Sequence, residues 1–99
     1  MRSHPERALY GISVAGELTG VDPQMLRAYE SRGLLAPHRS PGGTRRYSDR
    51  DIERIDRITG LIAAGLNLAG IVCVFALEAE TARLREEIEV LRLPRRQGR

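Results

Sequence analysis

Residues 21–35 read VDPQMLRAYESRGLL, and residues 42–48 read GGTRRYS. The first stretch predicts a short helix with a defined start and end. Asp22 can accept hydrogen bonds from unpaired backbone N–H groups, and Pro23 suits the first helical position. Gly33 can adopt the left-handed conformation that ends a helix.

A second short helix is predicted just before this one. Ser13 is a suitable N-cap for it, and Gly20 breaks it because glycine readily takes the positive φ of a tight turn. Residues 10–12 can form a short strand or an extended lead-in, and residues 1–9 are expected to be a flexible tail. Two short helices joined by a turn that contains glycine form a helix-turn-helix, whose second helix would carry the recognition surface.

The segment after the second helix cannot be helical, because two prolines and two glycines fall between residues 37 and 43. Residues 40–43 predict a hairpin turn between two short strands, which makes this basic segment a wing. Ser48 then opens a third helix with Asp51 in the capping-box position, and Gly65 is expected to end it. The apolar stripe predicted for that helix consists of Ile52, Ile55, Thr59 and Ile62.

A last helix is predicted from Leu68 to Leu93, before Pro94. Its a and d heptad positions hold Val74, Leu77, Thr81, Leu84, Ile88 and Leu91. About two and a half heptads are short for an isolated coiled coil but sufficient for a dimer seam supported by a domain. The same residues could instead pack on the chain's own domain. The flanking e and g positions hold opposite charges, namely Glu80, Glu87, Arg85 and Arg92. These charges would pair well between parallel helices.

The composition indicates one small domain with a basic middle. The chain has 99 residues and a net charge of +3, and all sixteen of its basic residues are arginine. Residues 27–50 hold six arginines against two acids, whereas acids outnumber arginines five to three in residues 78–93. Cys73 is the single cysteine, so no intrachain disulfide can form, and we expect it to be a buried thiol. Residues 61–77 carry no charge but are short for a membrane span and interrupted by glycine. A buried pair of helices in a soluble, cytoplasmic protein is expected.

The basic helix-turn-helix and wing predict contacts with double-stranded DNA. Arg27, near the start of the second helix, could reach base edges together with Gln24, while other basic and tyrosine side chains would reach phosphates. Strand alternation sends Arg45 and Arg46 to opposite faces, so one would face DNA and the other could pair with an acid such as Asp49 or Asp51. Tyr47 is equally suited to the core. The predicted DNA-contacting residues are Ser13, Gln24, Arg27, Tyr29, Arg32, Arg39, Arg45, Arg46 and Tyr47.

The residues offer little for catalysis or metal binding. No nucleophile–base pair, phosphate-cradling glycine loop or acid pair in a defined setting is present, so an enzyme is not predicted. His4 and His38 lack partners at metal-ligand spacing, and no cofactor is expected.

These residues resemble the MerR family of transcription regulators, over about residues 10–71. The resemblance rests on six ordered pieces, with sequences ISVA (12–15), LTGV (18–21), LRAYE (26–30), GLLAP (33–37), RRYS (45–48) and DI (51–52). The wing sequence GGTRRY (42–47) and LAGI (68–71) are most similar to the HspR branch, which represses chaperone operons. The family's usual second tyrosine is replaced by Ala28, which puts one phosphate contact in doubt.

The residues and the resemblance together predict a mainly α fold: a winged helix-turn-helix with a small two-stranded wing over residues 10–72, a dimerisation helix over 73–93, and a disordered basic tail over 94–99. The resemblance implies a homodimer on a two-fold operator, joined by antiparallel helices, although the charge pattern favours parallel ones. It also implies a repressor without an effector domain and, from the HspR branch, the DnaK chaperone as co-repressor. No membrane partner is implied.

Two other functions remain open on the sequence. A small architectural DNA-bending protein of the excisionase type would share the winged fold but would not require the heptad. A protein-interaction adaptor would use the coiled coil as its working part and would not need to bind DNA.

Overall fold

The computed structural model describes residues 7–94 and contains four helices and three short strands in that range. In chain order these are β1 (Ala8–Tyr10), α1 (Ile12–Thr19), α2 (Pro23–Ser31), β2 (His38–Arg39), β3 (Arg45–Ser48), α3 (Asp49–Ala63) and α4 (Leu68–Arg92). The predicted N-terminal tail before residue 7 and the basic tail after residue 94 lie outside the described residues. The mainly helical, winged fold predicted from the sequence is confirmed.

The helix boundaries follow local chemistry at most positions. Asp22 accepts a hydrogen bond from the Gln24 amide at 2.7 Å, and Gly33 ends the α2 segment with φ of 78°. Ser48 and Asp51 form the predicted capping box at the start of α3, with reciprocal hydrogen bonds of 3.0 and 2.9 Å. These side chains satisfy backbone groups that a helix end leaves unpaired, so the elements begin where the sequence predicts.

The start of α1 corrects one prediction. The N-cap is Gly11, which makes no side-chain cap, and Ser13 lies exposed within the first turn. The helix begins before Ser13 because Ile12 packs against the core, and this packing fixes the first turn at the earlier position. Gly16 then lets the turn before α2 pack closely on α1, since a β-carbon there would stand 2.9 Å from the carbonyl oxygen of Val21.

The sheet is larger than the predicted two-stranded wing. Its strand order is β1-β3-β2, all antiparallel, so β1 adds a third strand from a segment expected to be partly tail. The hydroxyl of Tyr10, at the end of β1, donates to Asp49 at 2.7 Å and ties that strand to the start of α3. The turn between β2 and β3 is closed by a hydrogen bond from the Gly43 amide to the Ser40 carbonyl.

The core lies where α1, α2, α3 and the sheet meet. Its buried apolar side chains are Ala15, Val21, Leu26, Tyr29, Leu34, Leu35, Tyr47, Ile55, Ile58 and Ile71. The apolar stripe of α3 therefore runs through Ile55 and Ile58, whereas Thr59 and Ile62 are exposed. The prediction missed Ile58 because residues at i+3 and i+4 are both near one helix face, and only packing decides between them.

The uncharged segment 61–77 comprises the end of α3, a short turn and the first part of α4. Gly65, with φ of 106°, ends α3 as predicted, and Asn67 caps α4 by accepting from the Gly70 amide at 2.8 Å. Only Ile71 of α4 is fully buried, and Phe75 packs partly against the core. Within residues 7–94, every helix is too short or too polar to cross a bilayer.

Candidate nucleic-acid interface

Helix α2 presents a polar, basic face beside the glycine turn. Leu26 and Tyr29 fix the helix by packing inward, which leaves Gln24 and Arg27, three positions apart, exposed on the outer side. Arg32 is also exposed just after the helix. Within residues 7–94, the side chains of Arg27 and Arg32 make no hydrogen bond or ion pair, so both guanidinium groups are available to an anionic partner.

The two tyrosines predicted to contact DNA are buried. Tyr29 is 3% exposed and Tyr47 is fully buried, and this burial raises the pKa of both phenols. The Tyr47 hydroxyl has no hydrogen-bond partner among the described residues. A phosphate contact from Tyr47 is therefore not supported by the structure. Strand alternation explains its position, because residue 47 points to the face of β3 that covers the core.

Two ion pairs connect the wing to α2, and neither was predicted from the sequence. Glu30 of α2 accepts from the Arg45 Nε at 2.7 Å through one oxygen and from the Arg39 Nη2 at 2.8 Å through the other. Arg39 also donates to the Gly43 carbonyl at 3.2 Å in the wing turn. The hydrogen bond from Arg45 and the charges of both arginines hold the pKa of Glu30 below its usual range.

These contacts correct the prediction that an arginine of the wing pairs with Asp49 or Asp51. Asp49 accepts from Tyr10, and Asp51 is occupied by the capping box. Arg45 and Arg46 do point to opposite faces as predicted. Arg46 is exposed, its side chain makes no hydrogen bond or ion pair within residues 7–94, and its Nη1 lies beside Gly11 at the start of α1.

The structure therefore divides the predicted DNA-contacting residues into three groups. The exposed side chains on α1, α2 and the wing, free of ion pairs in the described part of the chain, are Ser13, Gln24, Arg27, Arg32 and Arg46. Arg39 and Arg45 are tied to Glu30, and Tyr29 and Tyr47 belong to the core.

Helix α4 projects an apolar, mostly exposed surface away from the domain. Leu77 is 66% exposed, Leu84 43%, Ile88 48% and Leu91 80%, whereas Val74 is half-buried. Thr81 is also exposed. In the single chain, therefore, most of the heptad does not pack on the chain's own domain. The acidic residues Glu80 and Glu87 instead pair with Arg83 along the same helix, at 2.6 and 3.7 Å.

Cys73 is exposed, which corrects the expectation of a buried thiol. The inner face of α4 is set by Ile71 and Phe75, four positions apart, so residue 73 falls on a different face.

The first turns of α4 are anchored to α3 by residues that the sequence analysis did not single out. The Arg54 guanidinium lies 4.3 Å from the centre of the Phe75 ring, and its Nε donates to the Leu34 carbonyl at 2.6 Å. Arg57 pairs with Glu78 across the same contact. Arg54 thus connects Leu34, in the loop after α2, to Phe75, in the second turn of α4. The available sequence signal was the i, i+3 spacing of two arginines on the polar side of α3.

The chain matches the MerR HTH regulatory protein family over residues 10–77. It is 46% identical over 78 residues to HspR of Streptomyces coelicolor, which carries the name of a heat shock protein; the match covers 78% of this chain and 52% of HspR. It is also 37% identical over 70 residues to the regulator TnrA of Bacillus subtilis, covering 71% and 64%. The chain thus spans about half to two thirds of the length of these relatives.

Two solved structures of transcription regulators are also similar to this chain. The regulator PbrR691 of Ralstonia metallidurans, solved with lead(II), superposes with a TM-score of 0.65 at 27% identity over 85% of this chain and 78% of that one. HiNmlR, a MerR family regulator that lacks the sensor domain and was solved on promoter DNA, gives 0.60 at 26% identity over 83% and 74%. The predicted resemblance is confirmed, and this chain belongs to the MerR family of helix-turn-helix regulatory proteins.

Proposed function

We propose that this chain is a sequence-specific DNA-binding transcription regulator that binds a two-fold operator as a homodimer. The observation that carries the proposal is that three exposed guanidinium groups, at Arg27 on α2, Arg32 just after it and Arg46 in the wing, have no ion pair within residues 7–94. Guanidinium groups pair with phosphates and, in the bidentate form, with guanine edges.

The roles of individual residues follow from their positions. Arg27 and Gln24 share the exposed face of α2, so they are proposed to read base edges in the major groove. Arg32, just after α2, and Arg46, in the wing, are proposed to bind phosphates, together with the exposed Ser13 hydroxyl near the start of α1. Dimerisation is assigned to the exposed heptad of α4, because a single recognition helix specifies only a few base pairs.

The regulated genes are proposed to belong to a stress response of the chaperone type, with repression as the sign of regulation. The support is the 46% identity to HspR. A DnaK-type chaperone is proposed as co-repressor on the same resemblance. Adding purified DnaK to the DNA-binding assay below is expected to tighten binding, and no change would remove the co-repressor from the proposal.

The experiment is a mobility shift on the DNA upstream of the chain's own gene, compared with an unrelated duplex of equal length. We expect Arg27→Ala to lose about 1–3 kcal/mol of discrimination between the two duplexes at each half-site, roughly 5- to 150-fold in relative affinity per copy and the square of that factor for the dimer. Arg83→Ala on α4 is the matched control, since it removes the same charge from an exposed helix position that is remote from α2 and lies outside the a, d, e and g positions of the heptad. Unchanged discrimination by Arg27→Ala would contradict base reading, and equal affinity of the wild type for both duplexes would contradict sequence-specific regulation.

A further inference from the structure

The antiparallel pairing of β2 and β3 places two like charges directly opposite each other. Arg39 and Arg45 are register partners, so their side chains leave the same face of the wing. Like charges at such positions repel and weaken the strand pair. Glu30 lies under this face and offers one carboxylate oxygen to each arginine, at 2.8 and 2.7 Å.

The three side chains are partly shielded from solvent. The side chains of Glu30 and Arg45 are 23% and 26% exposed, while that of Arg39 is 46% exposed. Ion pairs with both oxygens of one carboxylate, made by two strands of a hairpin, restrain the hairpin more than an isolated surface pair does. The contact joins α2 to the wing, two elements that are otherwise connected by the loop 32–37.

We propose that Glu30 is a latch that fixes the angle of the wing relative to the recognition helix, and that Arg39 and Arg45 are positioning residues for DNA binding and not phosphate ligands. The wing residue left to reach a phosphate is then Arg46, which points to the opposite face of β3. This inference rests on the proposed DNA-binding function and assigns within it which arginines touch DNA.

Whether Arg39 and Arg45 are positioning residues or phosphate ligands can be tested with Glu30→Gln, because the two roles predict opposite effects on affinity for a mixed-sequence DNA duplex. If Glu30 is a latch, the variant loses the correctly placed Arg46 contact. One phosphate contact is worth about fivefold near physiological salt, so a dimer would bind about 25-fold more weakly. If Arg39 or Arg45 bind phosphate, the same variant releases them from a competing carboxylate and binds more tightly. Tighter binding would overturn the proposal.

A double-mutant comparison tests the pairing itself. Glu30→Gln removes both ion pairs and Arg45→Gln removes one of them, so each variant is expected to weaken binding, and the double variant should bind no more weakly than Glu30→Gln alone. Effects that multiply in the double variant would overturn the pairing. Glu86→Gln is the matched control, since it removes an equal charge from an exposed position on α4 and is expected to leave affinity unchanged.

A measurement without DNA separates this inference from the proposed function. Hydrogen exchange at the amides of Ser40 and Thr44, in the wing turn, is expected to accelerate severalfold in Glu30→Gln, while exchange at the centre of α3 stays as in the wild type. Faster wing exchange in a protein that binds no DNA would contradict the proposed function and leave the latch in place. Unchanged wing exchange would overturn the latch whatever the DNA result.

Discussion

Replacing Leu84 by alanine should weaken the proposed dimer without unfolding the DNA-binding domain. Leu84 is 43% exposed in the single chain and lies beyond Glu78, the α4 residue that pairs with α3. Full burial of a leucine contributes about 2 kcal/mol, so covering the exposed part contributes about 1 kcal/mol per copy. The dimer therefore loses about 2 kcal/mol of association free energy, which raises its dissociation constant about 30-fold.

The assay is sedimentation equilibrium over a range of protein concentrations, with circular dichroism to check that the domain remains folded. Val90→Ala is the matched control: Val90 is 63% exposed on the same helix but occupies neither an a nor a d position. We expect Val90→Ala to dimerise like the wild type. A monomeric wild type, or a Leu84→Ala variant that dimerises as tightly as the control, would refute the assignment of the heptad as a seam.

Three further perturbations test the local structure. Ser48→Ala removes the side chain that caps α3 and should lower the free energy of unfolding by about 1 kcal/mol in urea titration; a loss of only a few tenths would contradict the role of the cap. Gly16→Ala would place a β-carbon 2.9 Å from the Val21 carbonyl oxygen, so the turn between α1 and α2 must shift, and a loss of about 1–3 kcal/mol is expected in thermal unfolding. Because its ion pairs lower the pKa of Glu30, their stabilising effect is present above the ordinary glutamate pKa and is lost as pH falls through the lowered one. The stability difference between wild type and Glu30→Gln, measured in urea across acidic pH, should therefore shrink on acidification, and a constant difference would argue against this linkage.

The elements that the sequence predicts well are those determined by local chemistry. Asp22, Gly33 and the Ser48–Asp51 box act on backbone groups within a few residues, so their effects can be read without knowing the fold. Ser13 is the exception among the caps. It has the right side chain, but the packing of Ile12 starts the helix before it, and packing is a tertiary property.

The candidate site was predicted less completely, because its arrangement depends on contacts between elements. Glu30 was the missing residue: an acid within a strongly basic segment was a usable signal, but its partners are 9 and 15 residues away and depend on the register of β2 and β3. The sequence does not decide whether Tyr47 is buried, because strand alternation gives two faces without saying which face covers the core. The contacts of α4 with a second copy remain a prediction.

The anchoring of only the first turns of α4 has a consequence for how the protein responds to its own abundance. Beyond Glu78, the helix exposes apolar residues and packs against nothing in the described part of the chain. In the proposed dimer this apolar face is covered by a second copy, and that pairing is driven by mass action. The amount of protein in the cell would thus determine how much of it is assembled to bind both half-sites, so that occupancy of the operator rises more steeply than in proportion to concentration.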